Sequence, residues 1–294
     1  MIDNLLIMEP NSFLNRHCPY DQSGIVLVPI CIHDTDDIIS VTEAIIDHSR
    51  QLTTFDSEIQ KEISNIDIFQ ASPILLPSKP AQDSPLQQYI QDGKFLICLH
   101  SSDHYMSRIF HPFYLTCSPL AYIQLSAKLN MQNSNANNHN TLFQCAQISP
   151  HVFTAGARSF SQDELKLIQK SNIPYLTDKA LYTYDYELKK ILESFPHLIY
   201  LTINLDFFSP SIIPSPQNLI RGGPHWWQGL LFIRELFQRR SILSLSITGL
   251  SPKLPDISLS TVAQLIFKLI AYQIYVSKHE FDIDIITPPF YTTN

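Results

Sequence analysis

Glycine is scarce in this chain: 7 residues in 294, where ordinary usage of about 7% would give roughly 20. Glycine-rich loops that cradle phosphates are excluded with it, because a backbone cannot wrap a phosphate without residues that tolerate positive φ. Clustered positive charge is also missing. The formal net charge is −7 and no dense Lys/Arg run occurs, so the basic stripe that nucleic-acid binding requires is absent and nucleic acid is excluded as a partner. The five cysteines, Cys18, Cys31, Cys98, Cys117 and Cys145, are scattered, odd in number and without a C-x-x-C pair. That excludes a disulfide framework or a zinc knuckle and points to a reducing, cytoplasmic compartment. The opening MIDNLLIMEPNSFLNRHCPY has no basic segment followed by a long apolar one, so no signal peptide is expected. The most apolar helical stretch, from Ser260, is interrupted by Gln264, Lys268 and Gln273. It falls short of about 20 uninterrupted apolar residues and reads as a core helix rather than a membrane span.

What is present is a folding chain: 45% hydrophobic and 16% charged, the balance of an ordered domain that buries a sizeable core. Six apolar runs stand out: 24–33, 94–104, 121–130, 152–159, 198–210 and 242–252. Continuous runs of this length suit strands covered on both faces, as in a parallel sheet. Between them lie helical patterns over 40–52, 84–94, 161–171, 225–240 and 258–275, with apolar residues three and four apart. Ser161 with Glu164 makes a capping box, and 255–258 offers caps for the last helix. The alternation implies one α/β domain over 1–294, with helices on both faces of a mostly parallel central sheet, a three-layer α/β/α arrangement. The polar stretch MQNSNANNHN (131–140) is a long loop. An acidic stretch, HDTDD (33–37), reads as a solvated loop after the first strand.

In open parallel sheets, chemistry collects at the carboxyl ends of the strands. The candidates there are His104, Ser126, Lys128, Asn130, His139, Arg158, Asn204 and Asp206. Singly, each has a plain structural reading: His104 as a turn histidine, Asp206 as a loop cap, Lys128 as a chain reaching for solvent. Asn204 and Asp206, two apart on a strand, project to the same face, as a metal-binding pair does.

Their order along the chain resembles the ureohydrolases: arginase, agmatinase and formimidoylglutamase. That family carries G-G-D-H after one strand, D-A-H-x-D after the next and D-x-D-x-x-D-P after a later one. A Pro-rich loop then ends in P-G-G, and a late strand ends in E-[VLI]-x-P. Here GKFLICLHSSDH (93–104) is similar to the first segment, AYIQLSAKLN (121–130) to the second and YLTINLDFFSP (200–210) to the third. SPSIIPSPQNLIRGGPHW (209–226) matches the loop without a gap, SITGLSP (246–252) takes the late strand, and GARSFSQDEL (156–165) is similar to a G-x-R-S segment. The resemblance is clearest over 85–275 and implies an arginase-like fold.

The departures fall on the chemistry. The resemblance implies two manganese ions, held at positions that here read His104, Ser126, Lys128, Asn130, Asn204 and Asp206. Only His104 and Asp206 keep the family's residue type. Ser209 replaces a third aspartate, and Gly249 stands where the family has a glutamate that grips the guanidinium. Hard divalent ions take anionic oxygens and imidazole; two carboxamides and a hydroxyl are weak donors, and an ammonium repels a metal. No cofactor is therefore expected, with a single weakly held divalent ion on His104 and Asp206 left open. Lys128 is expected either to pair with Asp206 in the old cation pocket or to swing to solvent. His139 matches a substrate-side histidine of the family, and Arg158 reads as a scaffold residue or a subunit contact.

Three functions follow as expectations. The first is a catalytically degenerate ureohydrolase homologue, retained for binding or regulation, as a trimer or hexamer or beside an active relative. The second is a hydrolase of C–N bonds in guanidino or formimino compounds with a metal-dependent or rebuilt site. The third is a binder of small cationic metabolites, drawn to Asp103 and Asp206.

Overall fold

A computed structural model describes residues 12–16, 18–31, 37–63, 66–76, 85–132, 140–215 and 219–277. His139 and positions 33–36 of the acidic stretch lie outside the described residues. Eleven strands follow in chain order: β1 (Ile25–Cys31), β2 (Phe55–Asp56), β3 (Lys61–Glu62), β4 (Ile68–Gln70), β5 (Ile74–Leu75), β6 (Phe95–Leu99), β7 (Leu120–Leu125), β8 (Val152–Ala157), β9 (Tyr175–Thr177), β10 (Leu198–Asn204) and β11 (Ser241–Thr248). The helices are α1 (Ile38–Ser49), α2 (Pro85–Gln91), α3 (Met106–Cys117), α4 (Thr141–Ala146), α5 (Gln162–Lys170), α6 (Asp178–Thr183), α7 (Leu188–Leu192), α8 (Trp226–Arg239) and α9 (Asp256–Tyr275).

Among the described residues nine strands form one sheet in the order β4-β1-β6-β11-β10-β7-β8-β9, with β5 also on β1, and its strand pairs are parallel. Each long apolar run became one of these strands. Alternate residues feed opposite faces, as the two-residue strand period requires. Phe95, Ile97 and Leu99 of β6 join a core with α1, α8 and α9 residues such as Ile45, Ile233 and Ile266. Leu96 and Cys98 join a second core with Ile109 and Phe113 of α3 and Ile168 of α5. Sheet and two helical layers make the three-layer α/β/α fold.

The pattern reading holds for α1, α2, α5, α8 and α9 and misses the shorter elements. Residues 106–117 form α3 although Pro112 stands inside it; the apolar positions Met106, Ile109, Phe110 and Phe113 are fully covered and hold the helix on the sheet. The box at α5 is complete, with Ser161 and Glu164 serving each other's backbone. The cap expected for α9 is not made by a side chain. Pro255 takes the N-cap position, and the Ser258 hydroxyl donates to the Pro214 carbonyl at 2.6 Å instead. That bond ties α9 to the loop after β10.

Among the described residues α9 is long and apolar enough to cross a membrane, but most of it is buried in the protein. Its Lys268 is buried and meets Asp56 at 2.8 Å and Glu58 at 2.5 Å, carboxylates of the β2–β3 hairpin. Glu58 also pairs with Arg234 of α8 at 2.9 Å and accepts from the Tyr272 hydroxyl at 2.8 Å.

Candidate ligand site at the strand ends

Register brings the candidates together. Leu125 of β7 lies opposite Ile203 of β10, Asn204 opposite Thr248 of β11, and Ile247 opposite Leu99 of β6. The residues that follow, Ser126, Asp206, Gly249 and the segment His100–His104, therefore emerge at one edge of the sheet.

Asp206 stands at the centre, 3% exposed, in a 3-10 turn (Leu205–Phe207) that closes β10. Its backbone N–H donates to the Asn204 side-chain oxygen at 3.0 Å, so Asn204 caps the turn as asparagine commonly does. Its Oδ1 accepts from the Ala127 N–H at 3.0 Å and the Ser126 hydroxyl at 3.1 Å. Its Oδ2 is buried with no hydrogen-bond partner among the described residues. Burial pushes the carboxyl up to about 6; nearby Asp103 adds to the rise, while the Ala127 N–H, the Lys128 charge and the Ser126 hydroxyl oppose it.

Asp103 shares the cluster. Its Oδ2 accepts from the Asn130 amide at 2.9 Å and the Asn204 amide at 3.4 Å, and its carbonyl accepts from the Thr141 hydroxyl at 3.0 Å. Asn130 has φ of 55°, a left-handed conformation that asparagine tolerates better than most residues. Its side chain is buried, and its Oδ1 has no partner among the described residues. His104 follows Asp103 in a 3-10 turn (Asp103–Tyr105), with its ring edge-on to Tyr105.

The ion pair between Lys128 and Asp206 is not formed. Among the described residues the lysine ion pairs are those of Lys166 and Lys268. Lys128 is partly exposed and acts on Asp206 through space, lowering its pKa. The neighbouring amides are engaged elsewhere: the Asn204 oxygen accepts from the Asp206 N–H, and the Asn130 amide nitrogen donates to Asp103. Among the described residues no group of three or more His, Cys, Asp or Glu side chains stands placed to hold a metal ion.

Arg158 ties residues 220–221, in the loop after β10, to the turn around Asp206. Its guanidinium donates to the carbonyls of Asp206 at 2.7 Å, Arg221 at 3.0 Å and Phe207 and Ile220 at 3.3 Å. Gly223 has φ of 95°, and a Cβ there would lie 2.8 Å from both Arg158 and the Phe207 carbonyl, so only glycine fits. Asp178 of α6 accepts the Gly223 N–H at 3.0 Å. Arg158 is thus a scaffold residue. Asp178 was missed from the sequence, because nothing local marks an aspartate at a helix start as the partner of a loop 45 residues on. Ser209 accepts its place in a turn, its hydroxyl 2.9 Å from that of Ser211. Gly249 has φ of 83°, a backbone that a side-chain-bearing residue would enter only with strain.

A parallel α/β sheet with its site at the carboxyl ends, and after β10 a loop ending in two glycines, defines the class, and comparison with known proteins supplies the family. The profile of the Arginase family matches residues 42–272. The chain belongs to the arginase family. It is 23% identical over 287 residues to an N(1)-aminopropylagmatine ureohydrolase of Synechocystis, covering 90% of this chain and 94% of that one. A protein of the same name from Thermus thermophilus is 22% identical over 273 residues, covering 88% and 93%. In structure, formimidoylglutamase from Bacillus subtilis superposes with a TM-score of 0.75 at 15% identity, covering 89% of this chain and 91% of that one. Agmatine ureohydrolase of Thermoplasma volcanium gives 0.71 at 14%, covering 91% and 95%.

Proposed function

We propose that this chain is an arginase-family member without the dimanganese centre, retained for binding or regulation rather than hydrolysis. One observation carries the reading: the only carboxylate of the Asn204–Asp206 pair spends one oxygen on its own scaffold, the Ser126 hydroxyl and the Ala127 N–H, while amides and an ammonium surround it. This donor set does not fit two divalent ions. Four positive charges call for several anionic oxygens, and the cluster offers Asp103 and Asp206 beside a cationic Lys128. A metal-bound hydroxide is the nucleophile that such a centre provides; no step is derived through it, and the Ser126 hydroxyl is buried and donates to Asp206.

A rebuilt C–N hydrolase is the second reading, favoured by the names of the relatives, which are ureohydrolases. Gly249 speaks against it, since a glycine offers no carboxylate to take a guanidinium bidentately. A single divalent ion on His104 and Asp206 belongs to this second reading. Assembly, as a homo-oligomer or with an active relative, belongs to the first; Trp227 and Leu231, one turn apart on α8, are exposed apolar side chains that such a contact could cover. We place the protein in the cytoplasm, where its free cysteines stay reduced.

Metal analysis of the purified chain, with urea release measured on arginine and agmatine, tests the reading. Manganese far below stoichiometric and no turnover are expected. A full manganese pair with turnover overturns it.

A further inference from the structure

We propose that the strand-end cluster is a subsite for one primary ammonium group carried by a ligand, an alkylammonium rather than a guanidinium or a metal ion. The proposal rests on the reading above that no manganese pair occupies this place. Three acceptor-bearing residues from three elements are linked here by hydrogen bonds. Asp206 offers Oδ2 from the end of β10 and Asn130 offers Oδ1 from the segment after β7; both side chains are buried, and neither atom has a partner among the described residues. Asp103 adds a partly exposed carboxylate from the turn after β6, and is joined to Asn130 directly and to Asp206 through Asn204. A buried acceptor left unpaired is costly unless something donates to it.

The shape of the acceptor set decides between cations. An ammonium has three donors that diverge, and it suits separate single acceptors. A guanidinium presents a planar fork matched to both oxygens of one carboxylate. Neither carboxylate has both oxygens open. Asp206 commits Oδ1 to Ala127 and Ser126, and Asp103 commits Oδ2 to Asn130 and Asn204. Asp103 and Lys128 are partly exposed. Among the described residues no lysine forms an ion pair at the cluster, and the Lys128 charge competes with an incoming ammonium.

The test is an NMR titration of the full chain with propylammonium, guanidinium and manganese, each alone. Propylammonium is expected to bind one site at least roughly tenfold tighter than guanidinium, a difference of about 1.4 kcal/mol. D206N, checked for folding by its thermal transition, should lose at least roughly tenfold in propylammonium affinity, and K128M should gain severalfold as the competing charge goes. The K128M arm reads the site even if D206N unfolds. No propylammonium binding by wild type or K128M overturns the inference and leaves the proposed function standing, as does equal binding of guanidinium. Stoichiometric manganese with urea release overturns the proposed function itself.

Discussion

Two buried charged clusters in this protein are built on opposite terms. Around Lys268 each buried charge has a partner: both oxygens of Asp56 lie 2.8–2.9 Å from the ammonium, Asp56 also receives the N–H groups of Glu58 and Ile59, and Glu58 is shared by Lys268, Arg234 and Tyr272. At the strand ends, Asp206 is equally buried but one of its oxygens has no hydrogen-bond partner among the described residues, and its pKa is raised. A satisfied buried network rigidifies; an incompletely satisfied one is where binding can be favourable. The first cluster fastens the β2–β3 hairpin to α8 and α9. The second has capacity for a ligand. Both have two carboxylates and a lysine, with Arg234 added in the first, and what separates them is whether the carboxylate oxygens are taken.

The largest effect should come from breaking the satisfied cluster. K268M removes the cation between two buried carboxylates, and leaving buried charge uncompensated costs about 3–5 kcal/mol. Chemical denaturation should show that loss. The double variant K268M/D56N should recover part of it, because the charge left behind is then neutral too. A K268M protein as stable as wild type would mean that the network is decoration.

The unsatisfied cluster should respond with the opposite sign. Asp206 has a folded pKa of about 6 against an ordinary value of 3.8, so the folded state holds the proton more tightly than the unfolded state does. Stability from this group is therefore complete below pH ~4, falls as pH rises from ~4 to ~6, and stays reduced above that. Two pH units correspond to about 3 kcal/mol. Asp103, Lys128 and Arg158 are the charged groups that interact with it, and all three remain in D206N. The stability difference between wild type and D206N should thus shift by up to about 3 kcal/mol against wild type between pH 4 and pH 7. A pH-independent difference would show that Asp206 is solvated, not buried.

How much of this could be read from residues alone follows the range of the interactions. The six runs became strands because a strand buried on both faces is continuously apolar, a local signature. The Ser161–Glu164 box is local as well. The loop to Gly223 could be placed because its length and its two glycines are written in order along the chain. Lys268 was visible only as an interruption in an apolar helix, since its partner Asp56 lies 212 residues away. The hold on Asp206 was half legible: Ser126 stood at a marked position, but the Ala127 N–H is a backbone donor, and no side chain advertises it. Of the two readings for Lys128, the pair with Asp206 is not formed, for a related reason. Charge complementarity was legible, but the competing demands of Asp206's own N–H on Asn204 and of Asp103 on Asn130 were not.

The smallest effect sharpens the comparison most, because it tests redundancy rather than charge. Tyr272 is fully buried and donates its hydroxyl to Glu58 Oε2. Burial, followed by that bond to Glu58, pushes the phenol far above its ordinary pKa, so it stays a donor at any physiological pH. Y272F deletes this donor but strands nothing: the same Oε2 still meets Lys268 at 2.5 Å, and Oε1 still meets Arg234 at 2.9 Å. The loss should be that of one net hydrogen bond, about 1 kcal/mol, with no added penalty for an orphaned acceptor. Denaturation midpoints for Y272F and for Y272F in the K268M background check it. In the double variant Glu58 has lost two of its three partners, and the same hydroxyl deletion should then cost roughly twice as much. Equal costs in the two backgrounds would mean that the partners around Glu58 act independently, and that what distinguishes this cluster from the strand ends is the number of contacts rather than their mutual cover.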